Sequence, residues 1–177
     1  MEKNCEYFMN LLISVIKGNS SLDSIKAEIN ENYKDNDDNG IYHYFAQYSL
    51  EKFYILNYNK DKTTIIKPDE FENLKKQYLE QLHLFVDILD ELNCDSLSPN
   101  KDNQTPLICS INNKNYSIAK ILMEKTHNLY IMERDDYYNI FNLAMNRGDC
   151  LRDDCIDFIS FMLTLEDANT IKIFIII

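Results

Sequence analysis

Short apolar stripes of helical period alternate with polar breaks along this chain, and that alternation limits what it can fold into more than any other feature. Phe8, Leu11, Leu12, Val15 and Ile16 keep the i, i+3, i+4, i+7, i+8 spacing of one helix face, and Gly18-Asn19-Ser20 stops it. Leu22, Ile25 and Ile29 mark a second helix, Leu22 to Tyr33. The run Asp35-Asn36-Asp37-Asp38-Asn39-Gly40 after it suits only a solvated turn. Phe85 to Asp95 restores the helical pattern, Ser96 to Gln104 the polar loop, and Thr105-Pro106-Leu107 opens the next helix. Pro106 falls in a first turn, where its missing N–H costs nothing, and the Thr105 hydroxyl is placed to cap. Asn112 to Asn115 breaks that helix, Ile118, Ile121, Leu122 and Met123 form the next stripe, and after Arg134-Asp135-Asp136 a stripe restarts at Ile140, Phe141, Leu143 and Ala144. Helices this short cannot bury a stripe alone, so each pair must find its core against neighbouring pairs.

Three Gly and three Pro among 177 residues exclude a turn-rich β-sandwich, while an apolar fraction of 45% is enough for a core, so the expectation is one all-α domain over 1–177. A formal charge of −11 disfavours nucleic acid and anionic membrane surfaces as partners. The acidic start and the lack of an apolar run of ~18 residues predict an intracellular, cytoplasmic chain without membrane insertion. Abundant Asn, Ile, Lys and Tyr beside the arginines Arg134, Arg147 and Arg152 is the bias of AT-rich codons, which points to a virus, a protist or an AT-rich bacterium; for a virus or intracellular pathogen the expected compartment is the host cell's cytoplasm or nucleus.

The spacing from Thr105 to Tyr138 is 138 − 105 = 33 residues, a repeat period. Thr105-Pro-Leu-Ile-Cys-Ser-Ile-Asn-Asn-Lys-Asn-Tyr-Ser-Ile-Ala-Lys-Ile-Leu-Met123 resembles the ankyrin pattern T-P-L-H-x-A-A-x-x-G-H-x-x-I-V-x-x-L-L, and Phe85 to Thr105 resembles the helix and finger loop before it. Asn93-Cys94-Asp95 stands at that pattern's G-A-D corner, and Asn39-Gly40-Ile-Tyr-His-Tyr-Phe-Ala46 looks like a shortened opening with His43 at the family histidine. Residues 60–81 fit worst, because Glu72, Lys75 and Lys76 stand where a small apolar face belongs. The resemblance implies an ankyrin-repeat solenoid of about four to five helix-turn-helix repeats, near 7–38, 39–68, 69–100, 101–133 and 134–170. The apolar tail at 171–177 is unlike a polar terminal cap, and the expectation is a monomer or a weak dimer through that tail. It also implies a non-enzymatic module that binds or masks another protein, the charge favouring a basic segment. Carried over position by position, the partner-binding residues are Gln47, Tyr48, Lys101, Asp102, Gln104, Asn112, Asn113, Arg134, Asp135, Tyr137, Met145 and Asn146. His43 takes a structural role, bonding backbone in its turn.

Signatures of chemistry are scarce: no GxSxG, HExxH, GxxxxGK or dinucleotide glycine string occurs. Cys5, Cys94, Cys109, Cys150 and Cys155 contain no CxxC pair, so reduced thiols are expected, with no metal and no cofactor. The competing function is a small thiol-dependent enzyme on a helical scaffold, with Cys109 or Cys150 as nucleophile and His83 or His127 as base.

Overall fold

A computed structural model describes residues 4–29, 32–58, 68–129, 134–146 and 153–164, and for 68–69, 126–129 and 134–138 it describes the backbone. Among the described residues the protein is all-α, as expected. Its helices are α1 (Cys5–Ile16), α2 (Leu22–Ile25), α3 (Ile41–Phe45), α4 (Leu50–Tyr58), α5 (Pro68–Glu91), α6 (Pro106–Asn112), α7 (Tyr116–Leu129), α8 (Arg134–Asn146) and α9 (Asp153–Thr164).

Local chemistry sets the ends. Asn4 Oδ1 accepts the Tyr7 N–H at 3.0 Å and caps α1. α1 and α6 then close with the same corner. In each, a serine hydroxyl donates to the carbonyl three residues back, Ser14 to Leu11 and Ser110 to Leu107, both at 2.7 Å. The chain then turns through a left-handed residue, Gly18 (φ 71°) or Lys114 (φ 58°). The next N–H, of Asn19 or Asn115, returns to that serine's carbonyl at 2.8 Å. The Thr105 cap is present, its Oγ1 accepting the Ile108 N–H at 3.3 Å with Pro106 in the first turn. Thr105→Val is expected to cost about 1 kcal/mol, a fall in Tm of about 2–4 °C; an unchanged calorimetric midpoint would show that the cap contributes nothing.

The helices pack in two layers. α1 lies on α3, α3 on α6 and α6 on α8; beside them α5 lies on α7 and α7 on α9, while α6 pairs with α7 and α8 with α9. Phe8, Leu12, Phe45, Phe85, Ile118 and Phe158 are fully buried along this double row. The Phe45 and Phe85 rings meet edge to face at 6.3 Å.

Two expectations change. The helix expected over Leu22 to Tyr33 is one turn, Leu22–Ile25, capped by Ser21 and continued by turns through Ile29. Residues 69–100, expected as a helix pair, hold instead one unbroken helix of 24 residues, α5, and then the loop into α6. Leu74, Tyr78, Leu82, Phe85 and Leu89 form one buried stripe with no Gly or Pro inside it, so nothing interrupts the helix. Glu72 and Lys76 lie on its exposed side and Lys75 is half-buried, which is why they do not fit the face of a stacking repeat. With α4, the first half of α5 forms an arm beside the layers.

Candidate functional site

Two polar loops with the same internal geometry lie side by side at one end of the layers. In the first, Asp35 Oδ1 accepts the N–H groups of Asp37 and Asn39, both at 2.8 Å, and Asp38 takes the left-handed region at φ 61°. In the second, Asn100 Oδ1 accepts from the N–H groups of Asp102 (3.1 Å) and Gln104 (3.0 Å), and Asn103 sits at φ 57°. Asp and Asn suit both duties, since their short side chains mimic a turn carbonyl and they tolerate the left-handed conformation. Tyr44 and Asn39 also donate to Asp35 Oδ2, at 2.5 and 3.0 Å. Burial pushes the Asp35 carboxyl up, but the bonds from Tyr44, Asn39 and Asp37 outweigh it and hold its pKa below the ordinary value.

The loops are zipped together. The Lys101 N–H donates to the Asp37 carbonyl at 2.9 Å, Asn100 Nδ2 to Asn39 Oδ1 at 3.0 Å, and Lys101 Nζ to the Asn36 carbonyl. His43, 2% exposed, closes the zip: its Nδ1 accepts the Gly40 N–H at 3.1 Å while Nε2 lies 2.9 Å from the Gln104 carbonyl. A ring that accepts at Nδ1 carries its proton on Nε2, so the neutral ring donates to Gln104. Burial lowers the His43 pKa, partly offset by the Gln104 bond and the Asp35 charge. The backbone-bonding role expected of His43 is what the geometry gives it.

The sequence-predicted binding residues divide between surface and interior. Lys101 and Asp102 are exposed at the second loop's tip. Gln104 is half-buried, with its carbonyl on His43 and its Oε1 accepting from Cys109 Sγ at 3.4 Å. Asn113 is exposed, though its Nδ2 is drawn back to the Cys109 carbonyl at 2.8 Å; Asn112 and Gln47 are half-buried. Met145 (41% exposed) and Asn146 face solvent on α8. Tyr48 corrects the expectation: it is 0% exposed, its hydroxyl donating to Gln81 Oε1 at 2.6 Å beneath the arm, so it is core and cannot touch a partner. Arg134, Asp135 and Tyr137 belong to the start of α8, and their side chains lie outside the described residues, as does the segment 171–177. Sequence reading missed Asp37, exposed at the first tip where Asp102 stands on the second. Laying Asp35-Asn36-Asp37-Asp38-Asn39 over Asn100-Lys101-Asp102-Asn103-Gln104 would have found it.

No family model, curated protein or solved structure matches this chain.

The fold buries the described thiols, Cys5, Cys94, Cys109 and Cys155. Burial first, then the Asp102 charge, push the Cys109 thiol up to about 11. His83 is exposed; Cys150 and the His127 side chain lie outside the described residues. Among the described residues no group of three or more His, Cys, Asp or Glu side chains is placed to hold a metal ion, and no helix is long and apolar enough to cross a membrane. At neutral pH a thiol of pKa about 11 has roughly a hundredth of the thiolate of one at 9. Cys109 in the native protein should thus label about a hundredfold more slowly than a free thiol; labelling as fast as free thiol would revive the nucleophile reading.

Proposed function

We propose that the chain is a short ankyrin-type stack whose zipped loop tips bind a basic segment of another protein without chemical turnover. The observation that carries the reading is the pair of loops: one turn geometry occurs twice, each time leading into a first-layer helix, and the two copies are hydrogen-bonded side by side. The layer order supports it, since α1, α3, α6 and α8 succeed one another as first helices while α5, α7 and α9 do so as second ones. On this reading α2 is the first second-layer helix, and the arm, α4 with the first half of α5, is an insertion inside the second repeat.

A surface that positions loops this rigidly, with backbone groups already paired, loses little freedom on binding, so partner contacts are not offset by loop ordering. Asp37 and Asp102 stand exposed on the two tips, and the net charge of −11 adds a long-range field attracting a basic segment. The test starts from affinity capture in the source cell, comparing the natural chain with the Asp37→Lys/Asp102→Lys double variant. For a captured partner, raising salt from about 0.05 to 0.3 M should slow association several-fold, as screening shortens the reach of surface charge to about 10 Å or less. The double variant should slow it comparably, because rim charges act on encounter. A partner whose association ignores both salt and the double variant rules out the loop tips as its binding surface.

A further inference from the structure

We infer that the arm builds a second peptide-binding site, a cleft for an extended segment that carries arginine or lysine beside an apolar side chain. The inference rests on the protein-binding reading above but uses a different surface, at the corners where α3 and α6 end. Here α4, the first half of α5, the α6–α7 corner and the start of α9 enclose a cleft of about 520 Å³, within the range of small-ligand sites. A second hollow of about 250 Å³, between α5, α7 and α9, shares Lys75, Ser117 and Asp154 with it.

The arm is fixed to the layers by buried polar bonds. The Tyr78 hydroxyl, on a residue 3% exposed, donates to the Tyr48 carbonyl at 2.6 Å and lies 3.1 Å from Asn115 Oδ1, whose Nδ2 donates to the same Tyr48 carbonyl at 2.8 Å. Buried polar bonds of this kind fix one position for the wall. That wall holds Phe71, 43% exposed, an aromatic ring facing the cleft with no core to fill. The hollow that Phe71 lines carries three carboxylates, Glu51, Asp153 and Asp154, and the second hollow adds Glu124 and Asp157. Three lysines oppose them, Lys75, Lys114 and Lys120, and Lys120 already lies over the Phe161 ring at 5.0 Å. An acidic cleft with an exposed aromatic wall is complementary to a cationic side chain whose aliphatic stem covers the ring and whose head meets carboxylate.

The test is an amide-resolved NMR titration with the capped peptide acetyl-Gly-Leu-Arg-Leu-Arg-Gly-amide and its Glu-for-Arg counterpart. The arginine peptide should shift the amides of Asn113 to Ser117 and Asp153 to Asp157 saturably, and the glutamate peptide should not. Phe71→Ser, a change at a solvent-facing position, should weaken the arginine peptide at least tenfold, and Asp153→Asn should weaken it several-fold. Equal binding of the glutamate peptide, an unchanged affinity in both variants, or no movement of the cleft amides overturns the site. Shifts confined to Asp37 and Asp102 at the loop tips would overturn the cleft while leaving the loop-tip reading standing.

Discussion

Tyr48→Ala is expected to lower the unfolding free energy by about 3–5 kcal/mol, the cost of emptying a large aromatic site in a core. The ring is fully enclosed, with the Tyr78 ring centroid at 5.9 Å and Phe85 at 5.3 Å, so truncation leaves a cavity between the arm and the layers. It also removes the donor to Gln81 Oε1, leaving that oxygen with Asn57 Nδ2 at 3.3 Å. Burial holds the Tyr48 hydroxyl far above the ordinary tyrosine pKa, so it remains a donor throughout the accessible pH range. Tyr48→Phe keeps the packing and should cost only about 1–2 kcal/mol, the loss of one buried hydrogen bond. Urea unfolding by linear extrapolation separates the two variants. If Tyr48→Ala stays within about 1 kcal/mol of the natural chain and instead loses a partner, the residue belongs to a binding face and the position of the arm is wrong.

The same residue shows where sequence reasoning stops. Extending the helix that opens at Ile41 through Tyr48 puts the tyrosine on an open face; α3 in fact ends at Phe45, and the arm covers Tyr48 beyond that end. An arm of this kind leaves no local mark. The stripe from Leu74 to Leu89 is ordinary amphipathic periodicity, and only its tertiary partners, Tyr48 and Asn115, reveal that its first half does not belong to a regular stacking pair. By contrast, features whose cause is local are legible: the Thr105 cap, the stop at Gly18, and the corner at Asn93, which turns through φ 54°. The zip between the loops is half legible. His43 and the Asp/Asn runs are visible, but that Asp37 meets Lys101 depends on how the sequence between them packs, which no local signal gives.

His43 should make stability fall as pH is lowered, well above the range where carboxylates titrate. Its folded pKa lies below the ordinary 6.5, burial being the main cause, so between the two values the unfolded chain binds more protons than the folded one. Stability then rises with pH across that window: it is complete above about pH 7.5 and is lost as pH falls through 6.5 towards the folded pKa, with a slope of up to about 1.4 kcal/mol per pH unit. Protonation also has a structural cost, because a doubly protonated ring cannot accept the Gly40 N–H. Asp35 and Asp95, whose pKa values are lowered, contribute stability that is present above the ordinary carboxylate range and lost only as pH falls through their lower folded values. Measurements between pH 5 and 7.5 lie above the carboxylates, and the difference between the natural chain and His43→Ala in that window assigns the slope to this ring rather than to His83 or His127. At pH 7.5 His43→Ala should cost about 1–3 kcal/mol, since it orphans the Gly40 N–H and leaves the Gln104 carbonyl with the Asn100 N–H alone, and it should flatten most of the slope below. Hydrogen exchange at the Lys101 amide, which bonds the Asp37 carbonyl across the zip, should speed up in this variant and in the natural chain at pH 5.5 once the intrinsic pH dependence of exchange is divided out. A natural chain with level stability from pH 5 to 7.5, or a His43→Ala variant that keeps the slope, would mean that the clasp between the loops does not depend on the neutral ring.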